Sequence, residues 1–291
     1  MPTSFRFDAL KHTYMVAEIG INHNGDIAVA RKLIDYARVF QWDCIKLQKR
    51  NPDKCVPEHQ KNVPRDTPWG QMTYLEYRKR LEFDAAQYAE LWQHCGDDVH
   101  ASASAWDEDS VDFLLQFPMP FMKIPSAHLT NDALITYICR KNIPVLLSTG
   151  MSTLDEVDHA VELVQRHTDN FAVLHCHSSY PAPDEELNLR VINTFRERYQ
   201  CPIGYSGHEF GLTATMGAVA LGACIVERHV TLKRTMWGTD QMASVEPQGM
   251  LKLAQQIRAL EGSVGDGVKR LYKSEMSARK KLRPAEEPAY A

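Results

Sequence analysis

The 291-residue sequence lacks the features that direct a protein to a membrane, to secretion or to nucleic acid. Its apolar runs are too short to cross a bilayer, and its first residues, Met-Pro-Thr-Ser-Phe-Arg-Phe, contain no apolar signal-peptide core. Its 33 basic and 37 acidic residues are mixed along the chain and give a net charge of −4, so no basic surface typical of nucleic-acid binding is present. These absences predict a cytoplasmic protein that binds any anionic ligand through local charges.

Disulfide and zinc motifs are also missing. The seven cysteines are odd in number and form no Cys-x-x-Cys pair, which is typical of reduced thiols. Cys44, Cys139, Cys176 and Cys224 lie in apolar periodic segments, where a thiol behaves as a small core side chain. Of these, Cys176 is close in sequence to polar residues at a predicted strand end.

Eight short apolar runs alternate with amphipathic segments. The runs predict strands over residues 14–21, 43–48, 99–105, 121–124, 144–149, 171–177, 202–206 and 224–230. Helices are predicted after Asp26, Asp84, Asp107, Asn131, Thr153, Asn188 and Gly211, and a last helix over 247–260. Strand then helix, eight times, predicts a single-domain α/β fold, a (β/α)8 TIM barrel. A doubly wound open sheet stays the alternative, because periodicity does not show closure.

The predicted barrel spans residues 14–262, between an N-terminal extension (1–13) and a C-terminal tail (263–291). Catalytic groups of such barrels lie at the C-terminal ends of the strands. Two histidines, His208 and His229, lie at the C-terminal ends of the last two predicted strands. Their imidazoles could hold one metal ion, with Asp240 reaching in from the following loop. A lone histidine here is more often a hydrogen-bonded core residue, but two histidines with a carboxylate favour a metal-assisted site.

Lys46 and Lys123 lie within predicted strands, where an unpaired ammonium group would lose much of its hydration energy. Hydroxyls are found at neighbouring strand ends, on Ser126, Ser148 and Ser206. Together these groups suit a phosphate and a carboxylate, which are the two anionic groups of phosphoenolpyruvate. The alternative is that the lysines pair with Glu18 and Glu227 inside the barrel.

Seven motifs follow one another along the chain: Ala-Glu-Ile-Gly-Ile-Asn-His-Asn-Gly, Ile-Lys-Leu-Gln-Lys-Arg, Lys-Ile-Pro-Ser-Ala, Leu-Ser-Thr-Gly-Met-Ser, Leu-His-Cys-His-Ser-Ser-Tyr-Pro, Gly-Tyr-Ser-Gly-His and Glu-Arg-His-Val-Thr. In order and spacing they resemble the sialic acid synthase family, which comprises N-acetylneuraminate synthases and their legionaminate, pseudaminate and spore-coat polysaccharide relatives. The resemblance implies a barrel that condenses phosphoenolpyruvate with the open-chain aldehyde of a 2-acetamido hexose such as N-acetylmannosamine. The products would be phosphate and a nine-carbon 2-keto acid.

The resemblance also implies roles for individual residues. The histidines matching His208 and His229 hold a divalent metal, Mn²⁺ or Mg²⁺. Phosphoenolpyruvate is surrounded by the residues matching Lys46, Gln48, Ser104, Lys123, Ser126, Ser148 and Ser206. The residues matching Glu18, Tyr180 and Asp240 face the sugar in that family and are the catalytic candidates. Of these, the carboxylates of Glu18 and Asp240 can orient water or move its proton.

Two sugar-binding positions depart from the family pattern: His128 stands where many relatives have an acidic residue, and Ser178 where some have asparagine. Many relatives also carry an antifreeze-like domain after the barrel, which places an arginine on the acetamido group of the sugar across a dimer. We therefore expect a homodimer, with the antifreeze-like domain as a separate partner or with His128, His177 or Arg50 replacing its arginine. The preferred acceptor is then an acetamido hexose other than N-acetylmannosamine.

Two other functions fit parts of the pattern. A phosphoenolpyruvate-dependent synthase could act on a phosphorylated aldose, although only Arg50 and Arg228 lie near strand ends to bind a second phosphate. A non-catalytic family member could bind metal or sugar, although every position of the metal and phosphoenolpyruvate set has a competent side chain. The segment 51–80 is longer than an ordinary βα loop and predicts either a lid over the site or a surface insertion.

Overall fold

The computed structural model describes residues 4–283. The first elements are β1 (Tyr14–Gly20), α1 (Ile27–Val39), β2 (Cys44–Lys49), α2 (Pro52–Cys55), α3 (Glu58–Lys61), β3 (Pro64–Thr67), β4 (Gly70–Thr73), α4 (Tyr74–Arg80) and α5 (Ala85–Cys95). The chain continues with β5 (His100–Ala105), α6 (Glu108–Leu114), β6 (Met122–Ile124), α7 (Asp132–Cys139), β7 (Val145–Ser148), α8 (Leu154–Gln165), β8 (Phe171–Cys176), α9 (Val191–Arg198), β9 (Ile203–Gly207), α10 (Thr213–Ala220), β10 (Ile225–His229), α11 (Pro247–Val264) and α12 (Met276–Leu282).

Eight of these strands close into a parallel barrel in the order β1-β2-β5-β6-β7-β8-β9-β10, and β10 pairs back onto β1. Closure confirms the predicted TIM barrel and excludes the doubly wound open sheet. Each predicted strand agrees with the observed strand to within one residue at either end. The agreement follows from the burial of the barrel strands on both faces, which makes each a continuous apolar run.

Capping residues fix the starts of the surrounding helices. Asp26 accepts a hydrogen bond from the N–H of Ala28 at the start of α1, and Thr153 forms a capping box with Glu156 at the start of α8. Helix α11 runs two residues past the predicted end of the barrel, and the predicted tail contains α12. Residues 1–3 of the predicted extension and 284–291 of the tail lie outside the described residues. Within residues 4–283, no helix is both long and apolar enough to span a membrane.

Apolar side chains fill the N-terminal end of the barrel. The rings of Phe5 and Phe7 lie 5.0 Å apart and contact Phe121 at 5.8 and 5.4 Å. Side chains from the barrel strands complete the cluster: Tyr14, Val16, Cys44, Leu146, Ala172, Leu174 and Ile225. The N-terminal end of the barrel is therefore closed by apolar side chains, and a ligand can enter only from the C-terminal ends of the strands.

The insertion, residues 51–80, folds into α2, α3, the antiparallel β3–β4 hairpin and α4. Its Trp69 and Tyr77 contact Trp237 in the loop after β10, with ring centroids 5.7 and 5.1 Å apart. Tyr77 also packs against Ile21, which directly follows β1. The insertion thus lies against the rim of the barrel beside the ends of β1 and β10.

Candidate active site

A cavity of about 220 Å³ opens at the C-terminal ends of the barrel strands. It is lined by most of the predicted site residues, namely Glu18, Lys46, Gln48, Ser104, Lys123, Ser126, Ser148, Ser178, Tyr180, Ser206, His208 and His229. Asp240 and His128 do not line it, but each lies beside a residue that does. The sequence did not predict Trp106 or Met151 in the lining, and it considered Glu227 only as a partner of the lysines.

Strand register brings these residues to one level. Glu18 on β1 lies beside Lys46 on β2 and beside His229 on β10. Ser104 on β5 lies beside Lys123 on β6. Residues at equal heights on neighbouring parallel strands point into the barrel together, so side chains that are distant in sequence form one layer.

Two ion pairs, which we call the interior site, lie at the base of the cavity. Lys46 Nζ is 2.5 Å from Glu18 Oε2 and 3.7 Å from Glu227 Oε2. Lys123 Nζ is 3.0 Å from both carboxylate oxygens of Glu227. In the sequence analysis, pairing of the two lysines with Glu18 and Glu227 was the alternative to binding of an anionic ligand. The structure shows this pairing. An ammonium has three donors, so the ion pairs leave donors for a ligand as well.

The pKa values of the two carboxyl groups of the interior site are shifted in opposite directions. Burial raises the pKa of Glu18, although Lys46 opposes this, and the negative charge of Glu227 raises it further. Burial acts on Glu227 in the same direction, but Lys123 and Lys46 together hold its pKa below the usual range. Glu227 therefore stays charged, and Glu18 is the carboxyl able to take and release a proton.

Serine hydroxyls without partners face the same cavity. The Oγ atoms of Ser104 and Ser148 are buried and form no hydrogen bond to any of the residues 4–283. Ser126 Oγ accepts a hydrogen bond from the N–H of Gly150 at 2.9 Å, which leaves its own proton free to donate. A buried hydroxyl without a partner costs about 1–3 kcal/mol. These donors therefore indicate a ligand rich in acceptor oxygens.

Gly150 makes the close approach of this loop possible. A Cβ atom at position 150 would lie 2.1 Å from Ser178 Oγ and 2.9 Å from Ser126 Oγ. Both distances are far below van der Waals contact, so any side chain would displace the hydroxyls.

The two histidines face each other across the cavity. Their ring centroids are 5.3 Å apart, and the ring of Tyr180 lies 4.1 Å from His208 and 5.6 Å from His229. His208 Nδ1 donates to the carbonyl oxygen of His177 at 2.6 Å, which leaves the lone pair on Nε2. His229 Nδ1 lies 3.8 Å from Asp240 Oδ2 and is buried without a hydrogen-bond partner in the described part of the chain.

This donor set fits a divalent metal ion. Burial lowers the pKa of His229 to about 3, so its imidazole is neutral, as a metal ligand must be. Asp240 does not complete a three-residue cluster, since residues 4–283 contain no group of three His, Cys, Asp or Glu side chains with the geometry of a metal site. The protein thus offers two imidazoles, and the other coordination positions would be open to substrate.

Two other residues considered from the sequence lie away from the cavity. His177 pairs with Glu186 at 3.1 Å and lines a separate cavity of about 490 Å³ beside β8. Arg228 is buried outside the barrel wall, where it pairs with Glu209 at 2.8 Å. Successive residues of a strand point to opposite faces, so Arg228 points away from the side to which its neighbour His229 points.

A second group of polar side chains, which we call the rim cluster, lies at the cavity mouth. The Arg50 guanidinium is 3.4 Å from the centre of the Trp106 ring and donates to Gln48 Oε1. The rings of Trp106 and His128 are 5.2 Å apart. We include Arg78 on α4, which is 5% exposed, because burial and next the positive charge of Arg78 lower the pKa of Arg50 to about 10. Trp106 directly follows β5, a position that could have identified it, whereas the burial of Arg78 depends on how the insertion packs.

The chain is similar to known proteins over most of its length. The family model described as the NeuB family matches residues 33–269. The chain is 35% identical to N,N'-diacetyllegionaminic acid synthase of Campylobacter jejuni, over 91% of this chain and 81% of that protein. It is 36% identical to human N-acetylneuraminate-9-phosphate synthase, over 92% and 76%.

A solved structure resembles the whole barrel. The crystal structure of N-acetylneuraminic acid synthetase from Leptospira borgpetersenii superposes with a TM-score of 0.83 at 29% identity, covering 94% of this chain and 93% of that one. The matched family region includes all of the barrel strands after β1. The chain therefore belongs to the NeuB family and is an enzyme of the N-acetylneuraminate synthase type.

Proposed function

We propose that this enzyme condenses phosphoenolpyruvate with the open-chain aldehyde of an acetamido hexose, forming a nonulosonate and phosphate. The observation that carries the proposal is the convergence, in one cavity, of two lysine–carboxylate pairs, unpaired serine hydroxyls and two facing imidazoles. The relatives support it, because their names describe synthases of legionaminic acid, N-acetylneuraminate 9-phosphate and N-acetylneuraminic acid.

Phosphoenolpyruvate would bind at the base of the cavity. Lys46 and Lys123 would each direct remaining N–H donors at its anionic groups while keeping their carboxylate partners. Hydroxyl donors would come from Ser104, Ser126 and Ser148. Ser206 Oγ donates to Glu227 Oε1 at 3.1 Å and would have to exchange that bond to donate to the ligand. Such fixed donors also favour the departure of phosphate, because they are already oriented toward the charge that develops on it.

The reaction requires a polarised aldehyde and a proton carrier. Carbon 3 of phosphoenolpyruvate attacks the aldehyde carbon, and the aldehyde oxygen becomes a hydroxyl. Water adds at carbon 2, the carbon–oxygen bond to phosphate breaks, and a 2-keto acid remains. Mn²⁺ or Mg²⁺ held by His208 and His229 would supply Lewis-acid polarisation of the aldehyde. Glu18, with its raised pKa, would take a proton from the water that adds at carbon 2 or deliver one to the aldehyde oxygen.

The sugar would lie above this layer. Tyr180 covers both imidazoles, and Ser178 lines the cavity beside it. Asp240 lies next to His229 on the open side and would accept hydrogen bonds from sugar hydroxyls. We further propose that the enzyme is a cytoplasmic homodimer.

Phosphate release tests the function. Purified enzyme with phosphoenolpyruvate and Mn²⁺ is expected to release phosphate with at least one member of a panel of acetamido and diacetamido hexoses. The His229→Ala variant is expected to lose at least about a hundredfold in turnover, because one of two imidazole ligands is removed. Exposed His159 on α8, paired with Asp132, provides the matched control His159→Ala. Release by no sugar would overturn the function, and full activity of His229→Ala would overturn the metal assignment.

A further inference from the structure

The ion pair between Arg228 and Glu209 lies directly behind the two facing imidazoles. In the sequence, Glu209 follows His208, and Arg228 precedes His229. Both members of the pair are fully buried on the outer side of the barrel wall, and neither lines the catalytic cavity. The pair therefore contacts no substrate, but each member is bonded through the main chain to one of the histidines.

Main-chain pairing between β9 and β10 ends before it reaches both histidines. The last pair of their register in the described chain is Gly207 with Arg228, so His208 lies beyond it. The carbonyl oxygen of His208 accepts a hydrogen bond at 3.0 Å from the N–H of Ala182, in the loop after β8. The sheet hydrogen bonds thus hold His208 toward β8 and do not fix its distance from His229 on β10.

The side chain of Arg228 makes the connection that the strand register does not make. Its Nη2 donates to the backbone carbonyl oxygen of Glu209 at 2.7 Å, and its Nη1 donates to Glu209 Oε1 at 2.8 Å. Nη1 also lies 2.9 Å from the carbonyl oxygen of Gly211 and 2.7 Å from Thr215 Oγ1. Because a guanidinium is planar and rigid, it holds the main chain directly after His208 at a fixed place beside β10.

The carboxylate of Glu209 is held as closely as the guanidinium. Thr215 Oγ1 donates to its Oε1 at 2.6 Å, and the hydroxyl of Tyr205 donates to its Oε2 at 2.9 Å. A Cβ atom at Gly207 would lie 3.0 Å from Arg228 Cδ and closer still to Glu209 Oε2. Glycine therefore leaves the space that the pair occupies, and a side chain at this position would displace it.

Stability alone gives little reason for this pair. The desolvation of two buried charges offsets most of their attraction, so a buried ion pair adds little net stability over apolar residues of the same volume. Arg228 Nε, moreover, is buried without a hydrogen-bond partner in residues 4–283. The fixed geometry of the pair is the property that an apolar replacement could not supply.

We infer that Arg228 and Glu209 are positioning residues that set the separation of the His208 and His229 imidazoles and thereby the affinity for the divalent metal ion. The inference rests on the proposed function for the presence of that ion, and it adds two residues that contact neither metal nor substrate. The imidazole centroids are 5.3 Å apart. Since no third His, Cys, Asp or Glu side chain completes a metal cluster in the described chain, a shift of either imidazole is not compensated by another protein ligand.

Two variants test the inference through Mn²⁺ binding without substrates, measured by the paramagnetic resonance signal of the free ion. Arg228→Met/Glu209→Gln removes both charges, so it leaves no unpaired buried charge and is expected to fold. It is expected to bind Mn²⁺ about tenfold more weakly than wild type. Arg228→Lys keeps the charge without the planar fork and is expected to show a smaller loss of about threefold.

Phosphoenolpyruvate binding without metal separates positioning from a general structural role. Calorimetry is expected to show less than a twofold change in either variant, because Lys46 and Lys123 are held by their own carboxylate partners. Arg234 pairs with Glu246 at 3.8 Å in the loop after β10, where both side chains are partly exposed. The matched control Arg234→Met/Glu246→Gln should leave Mn²⁺ affinity unchanged.

Three results would overturn the inference: unchanged Mn²⁺ affinity in the double variant, equal weakening of Mn²⁺ and phosphoenolpyruvate, or a wild type that binds no Mn²⁺. If circular dichroism shows that Arg228→Met/Glu209→Gln does not fold, Arg228→Lys decides by the same criteria. Phosphate release tests the proposed function separately. Weakened Mn²⁺ binding with normal phosphoenolpyruvate binding therefore supports the positioning role even if no sugar is condensed.

Discussion

The interior site and the rim cluster treat buried cations in opposite ways. In the interior, Lys46 and Lys123 are matched by Glu18 and Glu227, so the four groups carry no net charge. At the rim, Arg78 is buried and Arg50 is half-buried, and neither has a carboxylate within ion-pair distance in residues 4–283. The interior is therefore electrostatically complete as folded, whereas the rim keeps a positive charge. Stability and ligand binding should respond differently when a cation is removed from each place.

Removing an interior cation should have the largest effect. Lys123→Met leaves the buried carboxylate of Glu227 with only the more distant ammonium of Lys46, and is expected to lower the free energy of unfolding by about 3 kcal/mol. Urea unfolding measures this loss, and calorimetry should show phosphoenolpyruvate binding weakened much more than sugar binding. Lys46→Met should weaken phosphoenolpyruvate in the same way.

The double variant Lys123→Met/Glu227→Gln sharpens the result. Removing both charges should recover most of the lost stability but not the affinity for phosphoenolpyruvate. Exposed Lys54, which pairs with Asp109, gives the control Lys54→Met, for which no measurable change is expected. Wild-type stability of Lys123→Met alone would contradict the view of the interior as a balanced unit.

The buried imidazole of His23 should have the next largest effect on stability, and this effect depends on pH. His23 stacks on Phe83 with ring centroids 4.1 Å apart, and burial lowers the pKa of its imidazole to about 3. The unfolded chain, with a histidine pKa of about 6.5, therefore binds the proton more tightly than the fold as pH falls below that value. Stability should decrease by about 1.4 kcal/mol per pH unit, or about 2 kcal/mol between pH 6.5 and 5. Urea unfolding at both pH values should show a smaller loss in His23→Gln, and an equal loss would exclude His23 as the cause.

Removing a rim cation should change the free energy of unfolding least. The change should be an increase, whereas removing an interior cation causes a decrease. Arg78→Gln takes away a buried charge without leaving an unpaired carboxylate, so it is expected to raise the free energy of unfolding by about 1 kcal/mol in phosphate-free buffer. Urea unfolding measures this gain. A destabilised Arg78→Gln would mean that the guanidinium is balanced within the fold.

The barrel could be predicted from the sequence because its strands are largely buried on both faces and most of the helices up to α8 begin at a capping side chain. The strand ends then identified most of the cavity lining, including Lys46, Lys123, His208 and His229. The hydrophobic periodicity predicted that each lysine lies in a strand, but it did not predict which group each ammonium contacts. Whether Lys46 meets Glu18 or a ligand depends on the register between strands, which periodicity does not determine.

Packing of irregular segments could not be predicted from the sequence. The insertion has no apolar period, and its contact with Trp237 follows from a loop more than a hundred residues away. Arg78 on α4 was therefore not predicted as a site residue. Arg228 lies near a strand end but on the outer side of the wall, because closeness to a strand end does not determine which face a side chain occupies.

The apolar packing of Phe5 and Phe7 at the bottom of the barrel has a kinetic consequence. Because that end is filled, the cavity opens only at the C-terminal ends of the strands, where the rim cluster lies. A ligand at the base of the cavity must therefore bind before a second ligand occupies the cavity mouth. It can dissociate only after that second ligand has left. Under the proposed function, phosphoenolpyruvate would therefore bind first, and an acceptor bound too early would block it. At high concentration the acceptor should slow the enzyme by competing for the passage rather than for the binding site.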